Sequence, residues 1–273
     1  MGRSTADKAS DLAAQRELSG VIKSAKRVLE LFDFFAECRR PLAVTDVVRG
    51  LDYPQSSASV LLKSLTNLGY LTYNRHTRLY MPTLRVALFG GWVSDELYTQ
   101  INLSHLIDEL HRRSGAKTVM LGMQNDIYVQ YIHMVQLPSP EIPWYIKPGS
   151  LRPLCRSGIG RMLLSRKTDV EVQQLLWRVN AEEFDLSLRM NVHDLLKELD
   201  LIRARGYAYT EGTVNPLSGV VAVEMPTPPS QPPMALGIGA SIETLRGERD
   251  NLLELLTETL QPYRARLGAD ARS

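Results

Sequence analysis

Pro54-Gln55-Ser56-Ser57-Ala58-Ser59-Val60-Leu61-Leu62-Lys63-Ser64-Leu65-Thr66-Asn67-Leu68-Gly69-Tyr70-Leu71 is the stretch that decides the fold of the front of this chain. Ala58, Leu61, Leu62, Leu65 and Leu68 recur at helical spacing and predict one buried stripe. Ser56, Ser59, Val60 and Lys63 fall on the opposite face. Pro54 suits the first helical position, and Gly69 suits a left-handed cap after the last turn. The result is a helix with a Ser-rich start, one lysine on its outer face and a glycine stop.

The flanks give that helix its context. Upstream, Ile22, Ala25, Val28, Leu29, Phe32 and Ala36 predict a first helix that stops near Arg39-Arg40, before Pro41. A short second helix starts at Val44 or Thr45 and ends near Leu51, and Asp52-Tyr53-Pro54 makes the turn into the third. Downstream, Leu71-Thr72-Tyr73 and Arg78-Leu79-Tyr80 are short strand candidates around the loop Asn74-Arg75-His76-Thr77. Helix, turn, helix and β-hairpin is the order of a winged helix-turn-helix. A recognition helix must bury one face and offer short polar groups to the major groove. Gln55, Ser56, Ser57 and Ser59 meet that need, Lys63 suits a phosphate or a guanine edge, and Val60 suits a thymine methyl. Arg75, His76 and Arg78 give the wing its charge. The same element order also occurs in protein-interaction modules.

The bulk numbers fit a two-domain globular chain. It has 273 residues, 44% hydrophobic and 23% charged, with a net charge of +2. Residues 1–90 hold 13 Lys and Arg against 8 Asp and Glu, whereas 91–273 hold 19 against 22. The basic excess therefore sits on the front, where a polyanion partner would bind. No apolar run reaches membrane-spanning length, and residues 1–20 read as a flexible tail without a signal-peptide core. Two distant cysteines, Cys38 and Cys155, argue against a disulfide framework and for a cytoplasmic location.

The expected organisation is a winged helix-turn-helix over 21–82, a linker helix over 83–97 and a second domain over 98–273. In the second domain helices are expected at 99–113, 158–165, 169–177, 192–205 and 243–267. Strands are expected at 118–123, 127–133, 207–211, 220–225 and 235–240, giving an α+β or mixed α/β unit. The five histidines lack metal spacing, and no cofactor motif is present. Cys155 beside Arg156 is the one nucleophile candidate, without a paired histidine.

Residues 23–83 resemble the IclR family of bacterial regulators. The similarity is carried by the third helix quoted above, by Ser24-Ala25-Lys26-Arg27-Val28-Leu29 and, later, by Arg205-Gly206-Tyr207-Ala208. It extends over about 21–267. Where the family often has arginine this chain has Val60, which leaves Lys63 with more of the charge work.

The resemblance implies a GAF-like C-terminal domain with a small-molecule effector pocket, and assembly as a homodimer or homotetramer. Carried over residue by residue, the pocket comprises Cys155, the turn Ser157-Gly158-Ile159, an acidic position at Thr210 or Glu211, a cysteine position at Val220 and two serine positions at Gly237 and Gly239. The turn's amides are placed to hold a carboxylate. Glycines in place of serines predict a roomier, less polar pocket, suited to an aromatic acid, with Tyr131, Trp144 and Tyr145 as stacking candidates.

The expected function is a ligand-responsive regulator that binds double-stranded DNA, is not an enzyme and needs no cofactor, metal or membrane. Two alternatives remain at this level. One is a sensor acting through protein contacts with degenerate DNA binding. The other is a hydrolase built around Cys155.

Overall fold

The computed structural model describes residues 22–88, 103–115, 117–136, 146, 149–228 and 231–270, the last five as backbone alone. The expected tail, most of the linker helix, and Trp144 and Tyr145 lie outside the described residues. The chain divides into two compact units, one holding the described residues up to Leu88 and the other those from Leu103 onward.

The first unit contains α1 (Lys23–Cys38), α2 (Val44–Leu51), α3 (Gln55–Asn67), β1 (Leu71–Asn74) and β2 (Leu79–Pro82). Its core is built from Leu31, Phe35, Leu42, Val47, Ala58, Leu62, Leu65, Leu71 and Tyr80. Gly50 lets α1 and α2 approach closely, because a β-carbon there would stand 2.2 Å from the Phe34 ring. The Asp46 carboxylate accepts the Ala43 N–H at 2.8 Å and so starts α2. Asp52, at φ 54°, reverses the chain between α2 and α3. α3 ends in a Schellman motif: Gly69 is left-handed at φ 79°, Gly69 N–H donates to Thr66 O, and Tyr70 N–H to Leu65 O.

Three expectations are corrected here. The fully buried residues of α1 are Leu31 and Phe35; the expected Val28 and Phe32 pack beside them, while Ile22 and Leu29 are 71% and 65% exposed. Leu68 is 59% exposed, because it lies at the C-cap, past the face that α3 buries. The hairpin β1–β2 is antiparallel, with Leu71 opposite Pro82. Arg78, at φ 59°, belongs to its turn rather than to the second strand.

The second unit contains α4 (Leu103–Arg113), β3 (Thr118–Asn125), β4 (Tyr128–Val135), β5 (Leu151–Pro153), α5 (Gly158–Leu164), α6 (Asp169–Glu182), α7 (Val192–Arg205), β6 (Tyr207–Glu211), β7 (Ser218–Met225), β8 (Met234–Ser241) and α8 (Ile242–Asp270). The sheet runs β5-β4-β3-β8-β7-β6 with antiparallel neighbours throughout. A core that includes Met120, Val129, Tyr131, Ile159, Leu195 and Ala222 joins one face of the sheet to α5, α6 and α7. All seven residues of α5 are buried. The fold is α+β.

α6 continues past the expected stop at Trp177 because Val179 extends its packed face. Its start is a capping box between Thr168 and Glu171. Among the described residues no helix is long and apolar enough to cross a membrane, and no cluster of three metal-ligating side chains occurs.

Candidate functional site

The outer face of α3 is set by what the inner face buries. Ala58, Leu62 and Leu65 are in the core, so Gln55, Ser56, Val60 and Lys63 are exposed, with Ser57 and Ser59 half-buried beside them. Val60 is 64% exposed and places an apolar group on this face. At the wing, Asn74 Oδ1 accepts N–H groups from His76 at 2.9 Å and Thr77 at 3.2 Å. This Asx turn closes the loop and leaves Arg75, His76 and Arg78 exposed at the tip. Behind it, Tyr73 and Tyr80 pack with ring centroids 4.6 Å apart. Arg85 donates to Leu68 O at 2.9 Å and lies 4.7 Å from the Tyr70 centroid, bracing the end of α3.

The second unit carries a pocket of about 90 Å3, partly open to solvent, on the sheet face that carries α5. Its floor is a row of residues in register across four strands: Thr118 of β3 pairs with Gly239 of β8, Gly239 with Val220 of β7, and Val220 with Thr210 of β6. All four line the cavity, together with Ser157 and Gly158 at the start of α5, and with Met120, Tyr131 and Arg152.

The next row, Met120-Gly237-Ala222-Ala208, lies two residues along the strands. α5 covers it: a β-carbon on Gly237 would stand 2.8 Å from Ile159 Cδ1 and 3.1 Å from Val220 Cγ1. Gly237 therefore adds no room. At Gly239 the same test meets Met120 Cε at 2.8 Å. Neighbouring side chains occupy the space that the two glycines leave. The cavity is smaller than the 150 Å3 that admits benzene in an engineered protein interior.

Of the expected pocket residues, Ser157, Gly158, Thr210, Val220 and Gly239 come together at the cavity, and Tyr131 joins them. Cys155, Ile159, Gly237 and Glu211 do not. Cys155 and Ile159 are fully buried in the core. Glu211 is bound to Arg246 at 2.7 Å and to the Tyr209 hydroxyl at 2.5 Å. These two partners hold its carboxyl down at about 2. The acidic position is thus a salt bridge, and Thr210 is the member of the pair that faces the cavity.

Burial pushes the Cys155 thiol up to about 12, which outweighs the opposing effect of Arg161 and Arg156. Arg156 instead pairs with Glu183 at 3.3 Å. A buried, protonated thiol is a poor nucleophile, so the nucleophile reading of Cys155 lapses.

Sequence reasoning missed Thr118, Met120 and Arg152. Thr118 and Met120 were within an expected strand, but nothing in the sequence said which face was left open. Arg152 lies in a three-residue strand beside Pro153, too short to show alternation.

A helix-turn-helix with a β-hairpin wing, in one chain with an α+β sheet domain, is the arrangement of a class of transcription regulators. Residues 24–75 match the family described as the IclR helix-turn-helix domain. Residues 98–262 match the bacterial transcriptional regulator IclR C-terminal domain. The chain belongs to the IclR family of transcriptional regulators.

It is 23% identical over 233 residues to the HTH-type transcriptional regulator KdgR of Dickeya chrysanthemi, covering 84% of this chain and 74% of that one. It is 26% identical over 188 residues to the HTH-type transcriptional regulator XynR of Escherichia coli, covering 69% of this chain and 74% of that one. The crystal structure of IclR from Thermotoga maritima superposes with a TM-score of 0.58 at 20% identity, covering 89% of this chain and 98% of that one. The effector domain of a regulator from Acinetobacter gives a TM-score of 0.55 at 25% identity, covering 65% of this chain and 97% of that one. The curated relatives are regulators by name, and the hydrolase alternative has no support among them.

Proposed function

We infer that this regulator reads double-stranded DNA through the outer face of α3 and the hairpin wing, and that a small organic acid in the sheet cavity changes its affinity for the operator. In the first unit, Gln55, Ser56, Ser57 and Ser59 are the groove-reading groups, and Val60 meets a thymine methyl. Lys63, Arg75, His76 and Arg78 take phosphates or base edges. A single module of this size buries too little surface for operator-level affinity, so the working form is a homodimer or a homotetramer, acting in the cytoplasm.

The observation that carries the effector reading is a pair of buried hydroxyls. Thr118 and Thr210 are 5% and 4% exposed, and both face the cavity. Their hydroxyls line the pocket and can each donate and accept a hydrogen bond from a ligand. The modest pocket volume of about 90 Å3 favours a small effector over the aromatic acid expected from the sequence.

Titration of the full chain with short carboxylic acids, followed by operator binding with and without the acid that binds, tests this reading. Binding by a short acid, coupled to a change in operator affinity, supports it. Preferential binding of benzoate over every short acid contradicts it.

A further inference from the structure

One face of α6 holds the helix to its domain. Val172 and Leu176 are buried, and Leu175 and Val179 pack against the core. The opposite face carries Val170, Gln174, Trp177 and Ala181, all exposed. Spacings of four, three and four residues set them in one line along the helix, the kind of seam into which a second helix packs. Trp177 is 85% exposed and Val170 63%. Phe184 and Leu186, just past the end of α6, are exposed as well. Apolar side chains scattered over a surface are ordinary, but an aligned set headed by a tryptophan marks a contact. Val170, Trp177, Phe184 and Leu186 together expose on the order of 500 Å2, against about 800 Å2 per partner in a standard interface.

The charges beside the seam identify the partner. Glu171 and Arg178 are seven residues apart and therefore on one flank of it, whereas the other flank carries the uncharged Gln173 and Asn180. A second copy of α6 laid antiparallel on the first brings like flanks together, so that Glu171 of each copy faces Arg178 of the other. A parallel arrangement would set these charges against Gln173 and Asn180. Both side chains keep capacity for the pairing. The Thr168 N–H and hydroxyl both donate to Glu171 Oε2, at 2.8 Å, and leave Oε1. Arg178 donates from Nη1 and Nη2 to Asp126 at 2.7 Å, which orients a guanidinium that has five N–H groups in all.

We propose that α6 docks on α6 of a second copy of this chain, antiparallel across a two-fold axis, with Trp177 buried in the seam and two Glu171–Arg178 pairs at its rim. The assignment rests on the homo-oligomer reading above and adds the face that one of its contacts uses. The two-fold closes the contact, because the same surface is buried on both copies.

Sedimentation velocity of the full chain at micromolar concentrations tests it. Trp177→Glu should halve the mass of the assembly. The side chain it replaces is exposed, so the fold should be unchanged, which circular dichroism checks. Glu171→Arg alone and Arg178→Glu alone each set like charges across the seam and should weaken self-association at least about tenfold. An equal mixture of those two variants pairs opposite charges again and should restore the full-size assembly. Misfolding cannot produce that recovery, and neither can a partner other than a second copy.

Wild-type mass retained by Trp177→Glu, or a mixture that sediments as two separate variants, overturns the assignment and leaves the homo-oligomer reading intact. A wild-type chain that is monomeric throughout the micromolar range overturns both.

Discussion

Gly158 and Thr210 meet where the start of α5 abuts the sheet: a β-carbon on Gly158 would stand 2.9 Å from Thr210 Oγ1 and 3.0 Å from Val220 Cβ. This glycine is needed for close approach, since nothing flexible is in the way at Val220. Gly158→Ala should intrude on the cavity floor and weaken effector binding at least about tenfold. Overpacking should also lower stability by about 1–3 kcal/mol. Calorimetry and thermal unfolding measure the two separately. An alanine variant with wild-type effector affinity would place the ligand elsewhere.

At the DNA-reading face, Val60 can be probed from the nucleic-acid side. Replacing thymines of a bound operator one at a time with deoxyuridine removes the methyl and nothing else. One position should lose about 1 kcal/mol with wild type, in line with burial of a methyl-sized group. With Val60→Ala that position should lose less. Anisotropy titrations of each duplex give both numbers. The absence of any such position would remove Val60 from the interface.

Lys63 is exposed on the same face. As a phosphate contact, Lys63→Ala should weaken binding about equally on all sequences and reduce the slope of log affinity against log salt by about 1. A sequence-selective loss with an unchanged slope would assign it to a base edge instead.

How much of this was legible in the sequence depended on whether the deciding contact was local. α7 and β6 were expected over 192–205 and 207–211, where they are found. Their signals are local: Asn191 caps α7 at its start, and Gly206 at φ 81° stops it. The Gly69 stop was legible for the same reason. The α1 stripe was legible in part: Val28 and Phe32 pack against the core as expected, but apolar residues lie on more than one face of the helix, and packing selects Leu31 and Phe35 as the buried pair.

Gly237 and Gly239 show the limit most clearly. Period-2 alternation puts both on one face of β8 and treats them alike. Only the position of α5 separates them, leaving Gly239 at the cavity and Gly237 under Ile159. Arg152 was out of reach because β5 is three residues long.

The two cysteines should differ sharply in reactivity. Cys155 is fully buried, with its thiol raised to about 12, whereas Cys38 is partly exposed. Alkylation of the native protein near neutral pH, followed by mass spectrometry, should label Cys38 first, with Cys155 reacting only when the domain opens. Equal labelling of the two would contradict the burial of Cys155.

The Glu211–Arg246 pair predicts a pH dependence. The carboxyl is held at about 2 against an ordinary 4.5. A depressed acid stabilises the fold fully above its unfolded value, and that contribution disappears as pH falls from about 4.5 toward 2. Glu211→Gln should therefore be less stable at neutral pH and lose less between those limits. Circular dichroism unfolding curves at several pH values check this. Parallel losses in wild type and variant would show that other groups control acid unfolding.

The central claim is that the first unit binds DNA through α3 and the wing. Anisotropy of the full chain on a duplex from the region upstream of its own gene, from about 50 mM to about 200 mM salt, tests it most directly. Wild type should bind at low salt, and its log affinity should fall linearly with log salt. Ser56→Glu with Lys63→Glu should abolish binding without changing the melting temperature. No binding by wild type at low salt, or undiminished binding by the charge-reversed variant, would contradict the account.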